Sequence, residues 1–163
     1  MLNKFSRRVS AVVLSVAPIV FFTTVTVSAE SRPFRMSAQG HANPVPTGPC
    51  TLSNSESGTG HALHLGALTW LSNEVVDRCA EGGPQVNAHF VLTAANGDQV
   101  FGRLRTVARF DDAAGQVTFA GLWDIDGGTG RFQDATGHGQ VTGWGSLAAP
   151  YEVSAEFTGE INY

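Results

Sequence analysis

From Gly58 onward, apolar and polar residues alternate with a period of two, in short runs separated by turn residues. The last run is the clearest: Tyr151, Val153, Ala155, Phe157, Gly159 and Ile161 fall on one face, and Glu152, Ser154, Glu156, Thr158 and Glu160 on the other. That alternation belongs to a strand with one buried and one wet face. Similar runs predict strands over 61–72, 86–95, 99–110, 116–126, 138–147 and 151–163. No stretch sustains the i, i+3, i+4, i+7 spacing of an amphipathic helix. Asn96-Gly97-Asp98 and Asp111-Asp112-Ala113-Ala114-Gly115 read as hairpin connections. Connections this short make neighbouring strands antiparallel. Such a meander hides its apolar face and removes its edges by closing into an all-β, up-and-down barrel of about eight strands. The phase turns Val100, Leu104, Ala108 and Phe110 inward with Val117, Phe119, Trp123 and Ile125. Arg103, Arg105 and Arg109 then face outward with Thr118, Leu122 and Asp124, and Arg103 falls nearly opposite Asp124.

The chain has 163 residues, room for one domain. Residues 1–29 read as a secretory signal peptide: a basic start (Lys4, Arg7, Arg8), an apolar stretch, then Val27-Ser28-Ala29 before Glu30. An uncleaved anchor is the alternative, against which Pro18 and the small-residue exit weigh. The expected product is secreted or periplasmic, with no membrane attachment after cleavage. Residues 30–57, rich in Pro, Ser, Asn and Gly, read as an irregular segment with room for one short strand over 34–39, and 58–163 as the barrel domain. In an oxidising compartment Cys50 and Cys79 are expected to form one disulfide. Neither cysteine has the neighbouring base that a thiol nucleophile needs.

The first 29 residues carry three cations and no anion, so the remainder sets seven arginines against all fourteen acids, a net charge of −7. That balance speaks against a nucleic-acid partner, whose binding depends on clustered Lys and Arg. At 42% apolar and 15% charged, the chain has enough apolar content to fold around a core.

Between two strands lies Gly127-Gly128-Thr129-Gly130-Arg131-Phe132, then Ala135-Thr136-Gly137. Gly127, Gly128 and Gly130 permit a turn that lets Phe132 drop into the barrel end, with Asp134 and Thr136 expected to satisfy local backbone donors. A phosphate loop would lead into a helix, whereas this turn leads into another strand. The motif resembles the barrel family of dirigent proteins and allene oxide cyclases over about the second half of the chain. The resemblance implies an eight-stranded barrel, homo-oligomeric in many relatives, with a mostly apolar cavity and no metal or organic cofactor. Those relatives steer cyclisation or coupling of small hydrophobic molecules; their cavity residues have no counterparts that can be placed on this sequence.

The candidate ligand-binding residues are Trp123, Trp144, His138 and Phe119. Inward tryptophans would line a cavity, and the glycines flanking Trp144 could open a slot beside its ring. His138 sits beside the glycine-rich turn, where a barrel mouth could use an acid/base group. His61 and His64 are spaced to point to opposite faces of a strand, not to chelate a metal together. Asp124, Asp126 and Asp134 lack the spacing of an EF-hand calcium loop. No catalytic triad or carboxylate pair can be selected from the sequence. The expected function is binding of a small hydrophobic molecule inside the barrel. The alternatives are a cofactor-independent cyclase or isomerase and a structural envelope protein with a filled barrel.

Overall fold

The computed structural model describes residues 30–163. Eight antiparallel strands close into a barrel: β1 (Arg32–Pro46), β2 (Thr51–Ala62), β3 (Gly66–Asp77), β4 (Gln85–Ala94), β5 (Gln99–Asp111), β6 (Gln116–Gly128), β7 (Thr136–Ser146) and β8 (Glu152–Asn162). Their order around the wall is their order in the chain, and β1 closes the ring by pairing with β8 as well as β2. Side chains alternate as the sequence pattern requires. Val100, Leu104, Ala108, Trp123, Ile125, Val153, Ala155, Phe157 and Ile161 are buried, while Arg103, Arg105 and Arg109 are exposed.

Arg103 lies opposite Asp124 in the β5–β6 register, as expected. The ion pairs nevertheless form diagonally: Arg103 grips Asp126 with two hydrogen bonds, of 2.9 and 2.7 Å, and Arg105 bonds Asp124 at 2.8 Å. Both pairs are exposed, a setting where each contributes only about 0–1 kcal/mol.

Three expectations about the backbone are corrected. Residues 30–57 are not an irregular leader, and the barrel does not begin at residue 58; β1 and most of β2 occupy that segment. Pro44 and Pro46 fit in β1 because β8 stops short of them: the last bond on that side runs from the Ala42 N–H to the Tyr151 carbonyl. The strand expected over 61–72 is two strands joined by a turn, with His64 (φ 72°) and Gly66 (φ 70°) in left-handed backbone. That turn carries apolar Leu63 and Leu65 because Leu65 tucks into the core at 6% exposure, so polarity does not mark it. The glycine-rich turn does send Phe132 inside, fully buried. Its ladder partner, however, is Thr129 and not Asp134 or Thr136: the Gln99 N–H donates to Thr129 Oγ1 at 2.9 Å, and the Thr129 N–H donates to the Gln99 carbonyl. The signal peptide assigned to 1–29 lies outside the described residues.

The two ends of the barrel differ. At the end holding the β2–β3, β4–β5 and β6–β7 connections, Phe34, Trp123, Phe132, Ile161 and Val100 are packed to 2% exposure or less. Phe34 stacks against Trp123 with ring centroids 5.1 Å apart, and Phe132 against Tyr163 at 4.8 Å. The Arg131 guanidinium ties this floor together by donating to the His64 carbonyl and lying over Phe132. At the other end Val76, Val86 and Ala108 form a smaller cluster with Leu52, Phe110, Val117 and Phe119 against it, and the interior between them is left open.

Candidate functional site

The open half encloses a cavity of about 450 Å³, within the range of small-molecule pockets. Met36, Trp70, Phe90 and Phe157 form its base; Phe119 and Val153 stand on one wall; Pro46, Arg78, Asp112, Tyr151 and Glu152 surround its mouth. Space exists here because Ala42, Ala108, Ala155 and Gly145 face the lumen where the floor has aromatic rings. Cys50 and Cys79 are joined, with Cα atoms 5.5 Å apart. They clamp the β1–β2 turn to the β3–β4 loop, so the bond braces the rim above β2 and β3.

One patch of the wall is polar. Asn54 and Glu56 of β2 face inward beside Ser72 and Glu74 of β3, with Asn54 opposite Glu74 and Glu56 opposite Ser72 in the register. The four side chains make a square. Asn54 is its hub: the Oδ1 atom accepts from the Asn43 N–H at 3.1 Å, which leaves the amide nitrogen to donate to both acids. That nitrogen reaches Glu56 Oε1 at 2.9 Å and Glu74 Oε2 at 3.1 Å. Ser72 Oγ donates to Glu74 Oε1 at 3.3 Å. Glu56 Oε2 has no hydrogen-bond partner among the described residues and is left to the cavity.

Burial and then the charge of Glu74 push the Glu56 carboxyl up to about 8, against the opposing pull of the Asn54 hydrogen bond. Glu74 is raised as well, chiefly by burial, with Asn54 and Ser72 working the other way. Two acids this close in an apolar setting cannot both ionise cheaply, so near neutral pH the pair retains a proton.

The four candidate ligand residues separate. Phe119 lines the cavity. Trp123 points inward but belongs to the packed floor, 1% exposed, with its indole N–H donating to the Gln140 carbonyl at 3.0 Å. His138 and Trp144 are corrections: both lie on the outer face of β7, and Trp144 is 41% exposed. The glycines flanking Trp144 face the lumen, on the opposite side of the strand from its ring. A Cβ on Gly143 would collide with the Phe119 ring, so that glycine makes room for an inward aromatic and not for Trp144. His61 is exposed on β2, whereas His64 turns back to hydrogen-bond the Pro33 carbonyl at 3.0 Å.

Asn54, Glu56 and Glu74 were not among the sequence candidates. The available signal was two inward acids at equivalent depth on paired strands, readable only once the β2–β3 register is known.

No protein-family model, curated protein or solved structure matches the chain. Nothing in these comparisons links the chain to dirigent proteins or allene oxide cyclases, and a barrel architecture by itself does not.

Proposed function

We propose that the protein binds a small hydrophobic molecule in the open half of its barrel. The observation that carries this reading is the cavity itself: about 450 Å³ and lined mainly by aliphatic and aromatic side chains. A structural protein would gain stability by filling that volume, as this chain does at the opposite end. The reading includes export to an oxidising compartment, supported by the Cys50–Cys79 bond. It also takes the barrel to be surrounded by water, supported by arginines on its outer face and apolar residues within, the reverse of a porin.

Native mass spectrometry of protein recovered from its own source tests the proposal. A bound mass that disappears on denaturation, and is missing from a folded Ala108→Phe variant whose ring grows into the cavity, is the expected result. Protein that carries nothing and takes up no medium-chain alcohol would refute it.

A second reading, a cofactor-independent cyclase or isomerase, is favoured by Glu56: a carboxyl kept protonated near neutral pH is a competent proton donor. Recovery of the bound molecule separates the two. A binder returns it unchanged, whereas an enzyme returns a product isomeric with what was supplied.

A further inference from the structure

The charges inside the cavity do not balance. Glu56 and Glu74 face the lumen, and no cation among the described residues pairs with either. The titratable and charged groups along the rest of the lining are Arg78, Asp112, Tyr151 and Glu152, all at the mouth. Arg78 lies over the Phe110 ring of the same lining, its guanidinium 4.3 Å from the ring centre, and forms no ion pair with Glu56 or Glu74. Asp112 and Glu152 add negative charge at the entrance. From β1, the inward groups nearest the square are Ala42 and Pro44; from β4 and β5 they are Ala88 and Leu104, none of which titrates.

Thr106 of β5 adds a hydroxyl to the polar part of this lining. It is 5% exposed and lines the same cavity, yet its hydroxyl bonds no other group among the described residues. With Glu56 Oε2, that makes two unclaimed hydrogen-bonding atoms opening on one apolar space.

We infer that the molecule held in the barrel is an amphiphilic amine, its protonated nitrogen seated against Glu56 and Glu74 and its apolar body against Trp70, Phe90, Phe119 and Phe157. This rests on the proposed binding function and deepens it. An ammonium supplies the counter-charge that the fold omits, donates to the carboxylate oxygens once the pair gives up its proton, and gains from aromatic faces. A neutral apolar ligand would seal the acids away from water with no compensation. A carboxylate ligand would add a further negative charge beside the pair.

Calorimetric titration of the folded protein with octylamine, octanol and octanoate tests the assignment, because the three differ only in their head group. The alkylammonium stays charged to about pH 10. Octylamine is expected to bind at least about tenfold more tightly than octanol at about pH 8.5, with octanoate weakest. The preference for amine over alcohol should widen as pH rises from about 6 to 9, because the carboxyl pair must give up its proton to the solvent. In wild-type protein at about pH 7.5, octylamine binding should release a fraction of a proton, read from heats in buffers of different ionisation enthalpy. In the Glu56→Gln/Glu74→Gln double variant the preference should fall below about threefold while octanol still binds. Octanol binding as well as octylamine, an unchanged preference in the double variant, or no proton release in wild type would each overturn the amine assignment and leave the apolar-ligand reading standing. If none of the three compounds binds, both readings fail.

Discussion

The carboxyl pair makes the stability of this barrel depend on pH in an unusual direction. Glu56 holds its proton to about 8 in the folded state, against an ordinary glutamate value of 4.5 in the unfolded chain. Below that lower value both states are protonated and the site is neutral in its effect. Between the two values the folded state binds a proton that the unfolded state has released, so stability falls as pH rises. The limiting slope for one proton is about 1.4 kcal/mol per pH unit, or about 5 kcal/mol over the window. Because Glu56 opens on a cavity that water can enter, about 2–3 kcal/mol is a more realistic total. Glu56→Gln keeps an acceptor for Asn54 and removes the ionisation. Urea unfolding followed by tryptophan fluorescence at about pH 5, 6, 7 and 8 should therefore show little difference between variant and wild type at the acid end. At the basic end the variant should be more stable by about 2–3 kcal/mol. Taking the difference cancels the exposed histidines, which both proteins share. Parallel pH profiles, or a variant that loses stability at pH 8, would mean that Glu56 is ionised at no cost and that the square has been misread.

Replacing Cys50 and Cys79 by serine should cost on the order of 3–4 kcal/mol for a loop of 29 residues, seen as a lowered urea midpoint, while the native protein should titrate no free thiol without reductant. Phe132→Ala should cost about 3–5 kcal/mol by hollowing the floor; a loss below 1 kcal/mol would show the floor relaxing around the gap. Gly139→Ala drives a Cβ against the Thr158 carbonyl oxygen and to 2.6 Å from Trp123 Cζ2, so a loss of at least about 1–3 kcal/mol and a shifted tryptophan emission are expected. Trp144→Ala, on the outer face, should change stability by no more than about 0.5 kcal/mol and leave octanol uptake intact; a loss of uptake would return Trp144 to the site.

What could be read in the sequence, and what could not, follows from what each strand faces. β6 and β8 present continuous apolar inner rows, such as Val153, Ala155, Phe157 and Ile161, and in β5 Thr106 is the polar residue in the row, so their phase is plain from alternation alone. In β2 the inner row is Leu52, Asn54, Glu56, Gly58, Gly60 and Ala62, while the outer row is mostly Ser and Thr. Neither face is consistently apolar, so the period-two signal vanishes where the wall lines the polar part of the cavity. The candidate site was obscured by its own composition. Glu56 and Glu74 stand 18 positions apart among fourteen acids, and only the strand register brings them to one patch. Aromaticity was likewise ambiguous: of Trp123, Trp144 and Phe119, one fills the floor, one faces outward and one lines the cavity, according to strand parity and depth.

The division between packed floor and open mouth also explains how the fold can tolerate two carboxyls in its interior. Burying an unpaired acid works against folding, and leaving about 450 Å³ unfilled forgoes packing contacts. Neither burden falls on the end where Phe34, Trp123, Phe132 and Ile161 are packed out of solvent contact. That end is held by ring stacking and by the loops around Arg131, and β1 and β8 close the sheet continuously from Arg32 to His41. At the mouth, where β1 runs past the end of β8, the disulfide adds a covalent restraint to the smaller cluster of Val76, Val86 and Ala108. The arrangement places the covalent tie beside the strands that carry Asn54, Glu56, Ser72 and Glu74. Stability drawn from one end thus permits an internal charge and an empty volume at the other, the two features a bound cation with an apolar body would complete.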